Sequence, residues 1–125
     1  MIAKDGFLHY IPKQYTNETI TINIPFHPKF IQPHPRAIQN QGCVAIRCGP
    51  IIYAMETTDN KFSLFDARVD QKSYLEERFS INGMECIRIH VNGMVNGEQR
   101  TLKFIPYWCW GNRERSDLLV WVKSL

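Results

Sequence analysis

Hydrophobic and polar residues alternate in the first part of the chain. Ile20, Ile22 and Ile24 stand at every second position, with polar residues between them. Side chains of a strand point alternately to its two faces, so this period is typical of a strand with one buried face. The pattern predicts a strand from Thr19 to Ile24.

Prolines dominate the stretch that follows, at Pro25, Pro28, Pro33 and Pro35. Proline has no backbone N–H to donate and is excluded from helix interiors and central strands. We therefore expect an extended edge or crossing segment that connects two strands.

Two short apolar runs, Cys43 to Cys48 and Ile51 to Met55, are separated by Gly49 and Pro50. This break is typical of a bend or bulge between two strands. The pattern then loosens from Thr57 to Ser80, where acidic and amide residues are frequent. This stretch predicts a long surface excursion, with a helical turn at most from Tyr74 to Phe79.

Alternation returns at Cys86 to Val91 and again at Thr101 to Ile105. Asn92-Gly93 and Asn96-Gly97 lie between these runs, and Asn-Gly pairs favour the positive φ angles of tight hairpins. A final apolar run, Leu118 to Val122, predicts the last strand. Together these segments indicate about eight short antiparallel strands, typical of a β-sandwich or jelly roll.

Composition supports one folded domain and argues against some classes of partner. A chain of 125 residues with 44% hydrophobic residues is long enough for one core, so we expect a single β-sandwich domain over residues 1–125. The net charge of +3 comes from dispersed basic residues, which argues against nucleic acid as a partner. No apolar run is long enough to span a membrane. The start shows no secretory signal, so the expectation is a cytoplasmic chain or one cut from a longer protein.

The four cysteines do not have the spacing of a metal site. Cys43, Cys48, Cys86 and Cys109 lack the paired C-x2-C pattern of structural zinc sites. Cys43 and Cys48 are an odd number of residues apart, so in a strand they point to opposite faces. We expect free, reduced thiols and neither a metal nor another cofactor.

Two longer stretches do more than fill a core: GCVAIRCGPIIYAMETTDN, residues 42–60, and FIPYWCWGNRERSDLLVWV, residues 104–122. In this order and spacing they resemble the C-terminal β-domain of the β-L-arabinofuranosidase-type glycoside hydrolases. The matching positions are Val44, Ala45, Arg47, Gly49, Pro50, Tyr53, Glu56, Asp59, Asn60, Ile105, Pro106, Tyr107, Trp110, Asn112, Arg113 and Trp121. Upstream, the chain has Tyr15 and Asn17-Glu18 where that family has a Trp and a Gly-Asp turn.

The resemblance implies that catalysis and the β-domain belong to separate domains. Enzymes of that family carry a zinc-bound cysteine nucleophile and a glutamate acid/base in an (α/α)6 barrel that precedes the β-domain. This chain has no room for such a barrel. The resemblance therefore implies a non-catalytic accessory domain that braces the catalytic barrel, its partner, and is not itself an enzyme.

Glu56 and Asp59 are the only acidic pair on a recognisable motif. Glycoside hydrolysis uses two carboxyl groups across the bond, one of them with a raised pKa. Nothing nearby in the sequence is placed to tune these two, so we expect Glu56 to bind backbone amides or an arginine such as Arg113. No catalytic residue is predicted.

Aromatic residues cluster at Tyr107, Trp108 and Trp110, in a segment expected to be extended. Such rings form a domain interface, pack in the core or stack on a sugar. Asn112 and Arg113 follow. Either Arg113 is a fork that binds a carboxylate, or Asn112 caps the loop and Arg113 is solvated. Besides the bracing role, two uses of this surface stay open: an independent carbohydrate-binding module based on Trp108 or Trp110, and self-association through Tyr107–Arg113.

Overall fold

The computed structural model describes residues 2–12, 17 and 19–125. Within these ranges the chain forms ten strands and three single 3-10 turns. The strands are β1 Ile2–Lys4, β2 Phe7–His9, β3 Pro28–Ile31, β4 Cys43–Cys48, β5 Ile51–Glu56, β6 Ala67–Ile81, β7 Met84–Val95, β8 Glu98–Pro106, β9 Leu118–Leu119 and β10 Val122–Ser124. The 3-10 turns are Ile38–Asn40, Leu64–Asp66 and Tyr107–Cys109. No helix in the described part is long and apolar enough to cross a membrane.

Six strands close into a barrel. Their order is β4, β10, β6, β7, β8 and β5, and β5 pairs back with β4 to complete the ring. The prediction of an all-β fold is confirmed, but its β-sandwich or jelly-roll form is not, because the β4–β5 hairpin joins the two ends of what would otherwise be an open sheet. Closure leaves no free edge within the ring, while β3 and β9 add to the outside of it.

The strand β10 makes the ring possible and breaks the expected antiparallel pattern. It pairs antiparallel with β4, where Val122 faces Val44, and parallel with β6, where Lys123 faces Arg68. The predicted strand from Leu118 to Val122 is thus two strands, since the chain bends at Val120 and Trp121 between β9 and β10.

The core lies inside the ring. Alternate residues of the barrel strands point inward and are almost fully buried, among them Ile46, Met55, Ile89, Leu102 and Phe104. A second, smaller cluster contains Ile81, Cys86, Ile105 and Cys109, with Phe79 packed against it. Ile105 follows Phe104 directly in β8, so this second cluster lies on the outer face of the barrel wall.

The predicted surface excursion from Thr57 to Ser80 is wrong over most of its length. Residues Ala67–Ile81 form β6, and the predicted helical turn at Tyr74 to Phe79 is paired with β7. A register shift between Val69 and Tyr74 interrupts the ladder. Polar residues occupy both faces beyond it because this part of the strand is largely exposed, which hides the period-two pattern.

The strand predicted from Thr19 to Ile24 does not form. Ile20, Ile22 and Ile24 are 47%, 70% and 64% exposed and lie in unpaired backbone. The proline-rich segment does supply an edge strand, since within the described part of the chain β3 pairs only with β4. Tyr15 and Glu18 lie outside the described residues.

Two of the predicted turns are confirmed. Gly49 joins β4 to β5 with a φ of 59°, and Asn96-Gly97 joins β7 to β8 with φ values of 50° and 82°. Asn92-Gly93 is instead inside β7. A Cβ atom at Gly93 would lie 2.4 Å from the carbonyl oxygen of Arg68 in β6, so glycine is needed there for close strand packing.

Candidate functional site

The residue Glu56 ends β5 at the rim of the barrel and is fully buried. The chain reverses immediately after it, because the backbone N–H groups of Asp59 and Asn60 both donate to the Glu56 carbonyl oxygen, at 3.1 and 3.0 Å. The buried side chain of Asn60 also donates to that oxygen, at 3.0 Å. This tight turn aims the Glu56 and Asp59 carboxylates at the loop that follows β8.

The Glu56 carboxylate binds three donors from that loop. The Gly111 backbone N–H donates to Oε1 at 3.1 Å, and the Ser116 hydroxyl donates to the same oxygen. Arg113 Nη2 donates to Oε2 at 2.5 Å. The prediction that Glu56 binds a backbone amide and Arg113 is confirmed, and the carboxylate fixes the loop at both sides of Arg113.

Asp59 accepts a bidentate pair of hydrogen bonds from Arg113, 2.8 Å from Nη1 and 2.6 Å from Nη2. The arginine-fork interpretation of Arg113 is therefore confirmed, and the solvated-arginine alternative is wrong. Burial raises the pKa of Asp59, but the hydrogen bonds from Arg113 and the nearby charge of Arg88 outweigh it, so the pKa lies below its ordinary value. Arg113 itself has a raised pKa, first because of its hydrogen bond to Asp59.

The ion pairs continue across β6 and β7. Arg88 Nη2 lies 3.3 Å from Asp59, and Arg88 Nη1 lies 3.5 Å from Glu77. The Arg88 guanidinium also lies 4.3 Å from the centre of the Phe79 ring. A hydrogen bond from His90, at 2.6 Å, lowers the pKa of Glu77.

Sequence reasoning missed this extension, because it depends on strand register. Glu77 and Arg88 are directly opposite one another in the β6–β7 pair, where opposite charges attract. Glu77 lies in the stretch that was predicted as a surface excursion, where no pairing partner can be assigned from the sequence. A correct assignment of β6 as a strand would have revealed the pair.

The contacts of Glu56 and Asp59 are those of a network that fixes the loop after β8. A general acid for glycoside hydrolysis needs a raised pKa, and the pKa of Asp59 is lowered. Both oxygens of Glu56 are engaged by donors and the side chain has no exposed surface. Among the described residues, no group of three or more His, Cys, Asp or Glu side chains could hold a metal ion.

The ion pairs of Arg113 with Glu56 and Asp59 fix the loop that carries an aromatic surface. We define this surface as Tyr107, Trp108 and Trp110. These residues were expected in an extended segment, but Tyr107–Cys109 is a 3-10 turn. The three rings are 49%, 46% and 46% exposed, whereas Cys109 is fully buried. Simple core packing is therefore excluded for the three rings.

Short polar contacts fix the loop that carries these rings. Asn112 donates from its side chain to the Trp108 carbonyl oxygen at 3.0 Å, which confirms the loop-capping interpretation of Asn112. Trp110 Nε1 donates to the Ser116 carbonyl oxygen at 3.3 Å. The backbone at Trp108 and the indole ring of Trp110 are thus held in place before any partner arrives.

A groove of about 400 Å³ lies beside Trp108. We call it the Trp108 groove; its lining includes Tyr53, Ile87, Pro106 and Trp108, together with the charged residues Arg78 and Glu85. An apolar groove with a few polar groups is the usual form of a ligand or partner contact.

Comparison with known proteins extends these observations. The sequence model of the glycoside hydrolase family 127 C-terminal domain matches residues 28–123. The non-reducing end β-L-arabinofuranosidase of Bifidobacterium longum subsp. longum is 25% identical over 139 aligned positions, which cover 94% of this chain and 21% of the relative.

Solved structures agree on the fold. A family 127 β-L-arabinofuranosidase from Geobacillus stearothermophilus T6 superimposes with a TM-score of 0.69 and 24% identity, over 81% of this chain and 19% of that protein. A second structure, a glycoside hydrolase, gives a TM-score of 0.73 and 19% identity, over 79% of this chain and 19% of the other. The chain spans about a fifth of the length of the relatives it matches.

Proposed function

Because this chain belongs to the C-terminal domain family of glycoside hydrolase family 127, we propose that it is a non-catalytic accessory domain that braces the catalytic barrel of a β-L-arabinofuranosidase-like enzyme. The observation that carries the proposal is the aromatic surface, three half-exposed residues on a loop that the buried Glu56 carboxylate fixes through Arg113. Large aromatic residues dominate the centres of protein interfaces.

Preorganisation is the physical reason why this surface suits a brace. Association costs free energy for every side chain and loop that must be ordered on binding. Here Glu56 and Asp59 already fix the loop through Arg113, so the loop loses little further freedom on binding. The partner that fits is an apolar face of the catalytic barrel. The arabinofuranosidase relative is about five times as long as the part of it that matches this chain, so it has further domains for this domain to contact.

A carbohydrate-binding module is the second candidate. The observation in its favour is the Trp108 groove, where a half-exposed indole ring stands beside Arg78 and Glu85. Tryptophan faces stack on sugar rings and charged side chains bind hydroxyl groups, so the groove has the elements of a sugar site.

A fluorescence titration of the 125-residue chain with arabino-oligosaccharides separates the two functions. The bracing function predicts no saturable quenching of tryptophan fluorescence, together with concentration-dependent self-association through the aromatic surface in the absence of the barrel. The double variant Trp108→Ala/Trp110→Ala should abolish the self-association, measured by analytical ultracentrifugation.

Phe65→Ala is the matched control, because Phe65 is 73% exposed but belongs to a different surface beside Leu119 and Trp121. It should leave self-association unchanged. Saturable quenching in the wild type that is lost in both Trp108→Ala and Trp110→Ala, with the fold intact, would refute bracing as the main use of this surface.

A further inference from the structure

Two cysteines that are distant in the sequence meet on the outer face of the barrel. Cys86 lies near the start of β7 and Cys109 ends the 3-10 turn after β8, yet their sulfur atoms are 3.5 Å apart. Ile81 and Ile105 enclose the pair. Their sequence spacing gives no sign of this contact, which depends on the pairing of β7 with β8.

The two thiols differ in access. Cys109 is fully buried, whereas Cys86 is 7% exposed and lines the Trp108 groove. Burial, followed by the hydrogen bond with Cys86, raises the pKa of the Cys109 thiol to about 12. A small reagent that enters the groove therefore meets Cys86 first.

We propose that Cys86 and Cys109 form an oxidation-sensitive dithiol, which closes to a disulfide when a small peroxide enters the Trp108 groove. A disulfide bond is about 2.05 Å long, so the sulfur atoms must approach by roughly 1.5 Å. Side-chain rotation at Cys86 and a small shift of the 3-10 turn supply this movement.

The reaction has two steps. The Cys86 thiolate attacks one oxygen of hydrogen peroxide, the O–O bond breaks, and Cys86 sulfenic acid forms with release of one water molecule after protonation. The Cys109 sulfur then attacks the Cys86 sulfur, and the sulfenic oxygen leaves as a second water with the Cys109 proton. Two thiols are oxidised and one peroxide is reduced, so no other reactant is needed.

The disulfide would add a covalent link between two elements that now meet through packing and the Cys86–Cys109 hydrogen bond. It would connect β7 directly to the turn that carries Tyr107 and Trp108. Oxidation would thus tether the turn to β7 and change the wall of the groove that Cys86 lines. This inference is independent of the proposed bracing function.

The test uses the Cys43→Ala/Cys48→Ala double variant of the full 125-residue chain. Cys86 and Cys109 are then the only thiols, and both stay native. Peroxide treatment of the folded protein should remove two hydrogen atoms from the intact monomer mass, and non-reducing peptide mapping should link Cys86 to Cys109. Dithiothreitol should restore the original mass.

A second variant tests the order of attack. With Cys109→Ala in the same background, Cys86 should accumulate as sulfenic acid and be trapped by dimedone. Monomers that keep two free thiols after peroxide treatment, or that gain only oxygen atoms, would overturn the proposal. Linked Cys86 and Cys109 peptides in the double variant, without any dimedone adduct in the second variant, would contradict attack through Cys86.

Discussion

The side-chain amide of Asn60 pairs with the backbone of Lys103 as a neighbouring strand residue would. Asn60 Nδ2 donates to the Lys103 carbonyl oxygen at 2.8 Å, and the Lys103 N–H donates to Asn60 Oδ1 at 2.9 Å. The same Nδ2 group donates to the Glu56 carbonyl oxygen. One buried amide therefore joins the turn after β5 to β8, and so sets the direction of the Glu56 and Asp59 carboxylates.

Replacing this amide by a carboxylate should be costly. In Asn60→Asp the donor is lost, and a buried negative charge faces the carbonyl oxygens of Glu56 and Lys103. We expect the free energy of unfolding to fall by about 2 to 4 kcal/mol, measured by urea denaturation. Asn92→Asp, at an exposed position of β7, is the control and should change stability little. Equal effects of the two substitutions would contradict the role assigned to Asn60.

Loss of the Arg113 guanidinium should leave two carboxylates without their shared partner. Because Glu56 is fully buried, Arg113→Met should lower the free energy of unfolding by about 3 kcal/mol or more. Arg100→Met is the matched control, since Arg100 pairs with Glu98 at the surface, where both side chains are more than half exposed. Thermal unfolding should show a large shift for the first variant and almost none for the second.

The Asp59 carboxylate should make the free energy of unfolding fall as the pH falls into the acid range. Its pKa is lower in the folded chain than its ordinary value of 3.8, so its contribution is fully present above that value. The contribution is lost as pH falls through the lower folded pKa. The stability difference between wild type and Asp59→Asn should therefore be constant near neutral pH and shrink in acid.

Unfolding measured from neutral pH down to strongly acidic conditions tests this expectation. Glu98→Gln, an exposed carboxylate, should give a small and nearly flat difference over the same range. A difference for Asp59→Asn that grows as the pH falls would show that the carboxylate is not held by Arg113 and Arg88 in the way described.

The chain should not hydrolyse aryl β-L-arabinofuranosides. Its paired carboxylates are occupied by Arg113, Ser116 and a backbone amide, and none is free to protonate a leaving group. Release of the aryl group should stay at the background rate. Turnover that persists through repurification and disappears in Glu56→Gln would contradict a non-catalytic role.

Local patterns in the sequence predicted local structure well. The β4–β5 hairpin and the turn between β7 and β8 follow from short alternating runs that meet at Gly49 and Asn96-Gly97. Barrel closure could not be predicted in this way, because it depends on β10 entering between β4 and β6, far away in the chain. Ile20, Ile22 and Ile24 show the converse: alternation favours a strand, but a strand also needs a neighbour with which to pair.

In the candidate site, too, some contacts were predictable from residue type and others depended on strand register. The Glu56–Arg113 contact was predictable from residue type, since a buried carboxylate needs donors and arginine is the best of them. Arg88, Glu77 and the Cys86–Cys109 contact were not, because each depends on which residues face one another across β6, β7 and the turn after β8.

The position of β10 in the ring has a consequence for synthesis on the ribosome. It is the last of the ten strands in chain order, and both of its barrel neighbours emerge long before it does. Until β10 is in place, β4 and β6 each have one unpaired edge. Nascent chains stalled before Val122 should therefore recruit chaperones and aggregate, whereas chains that expose Val122–Ser124 should close the ring.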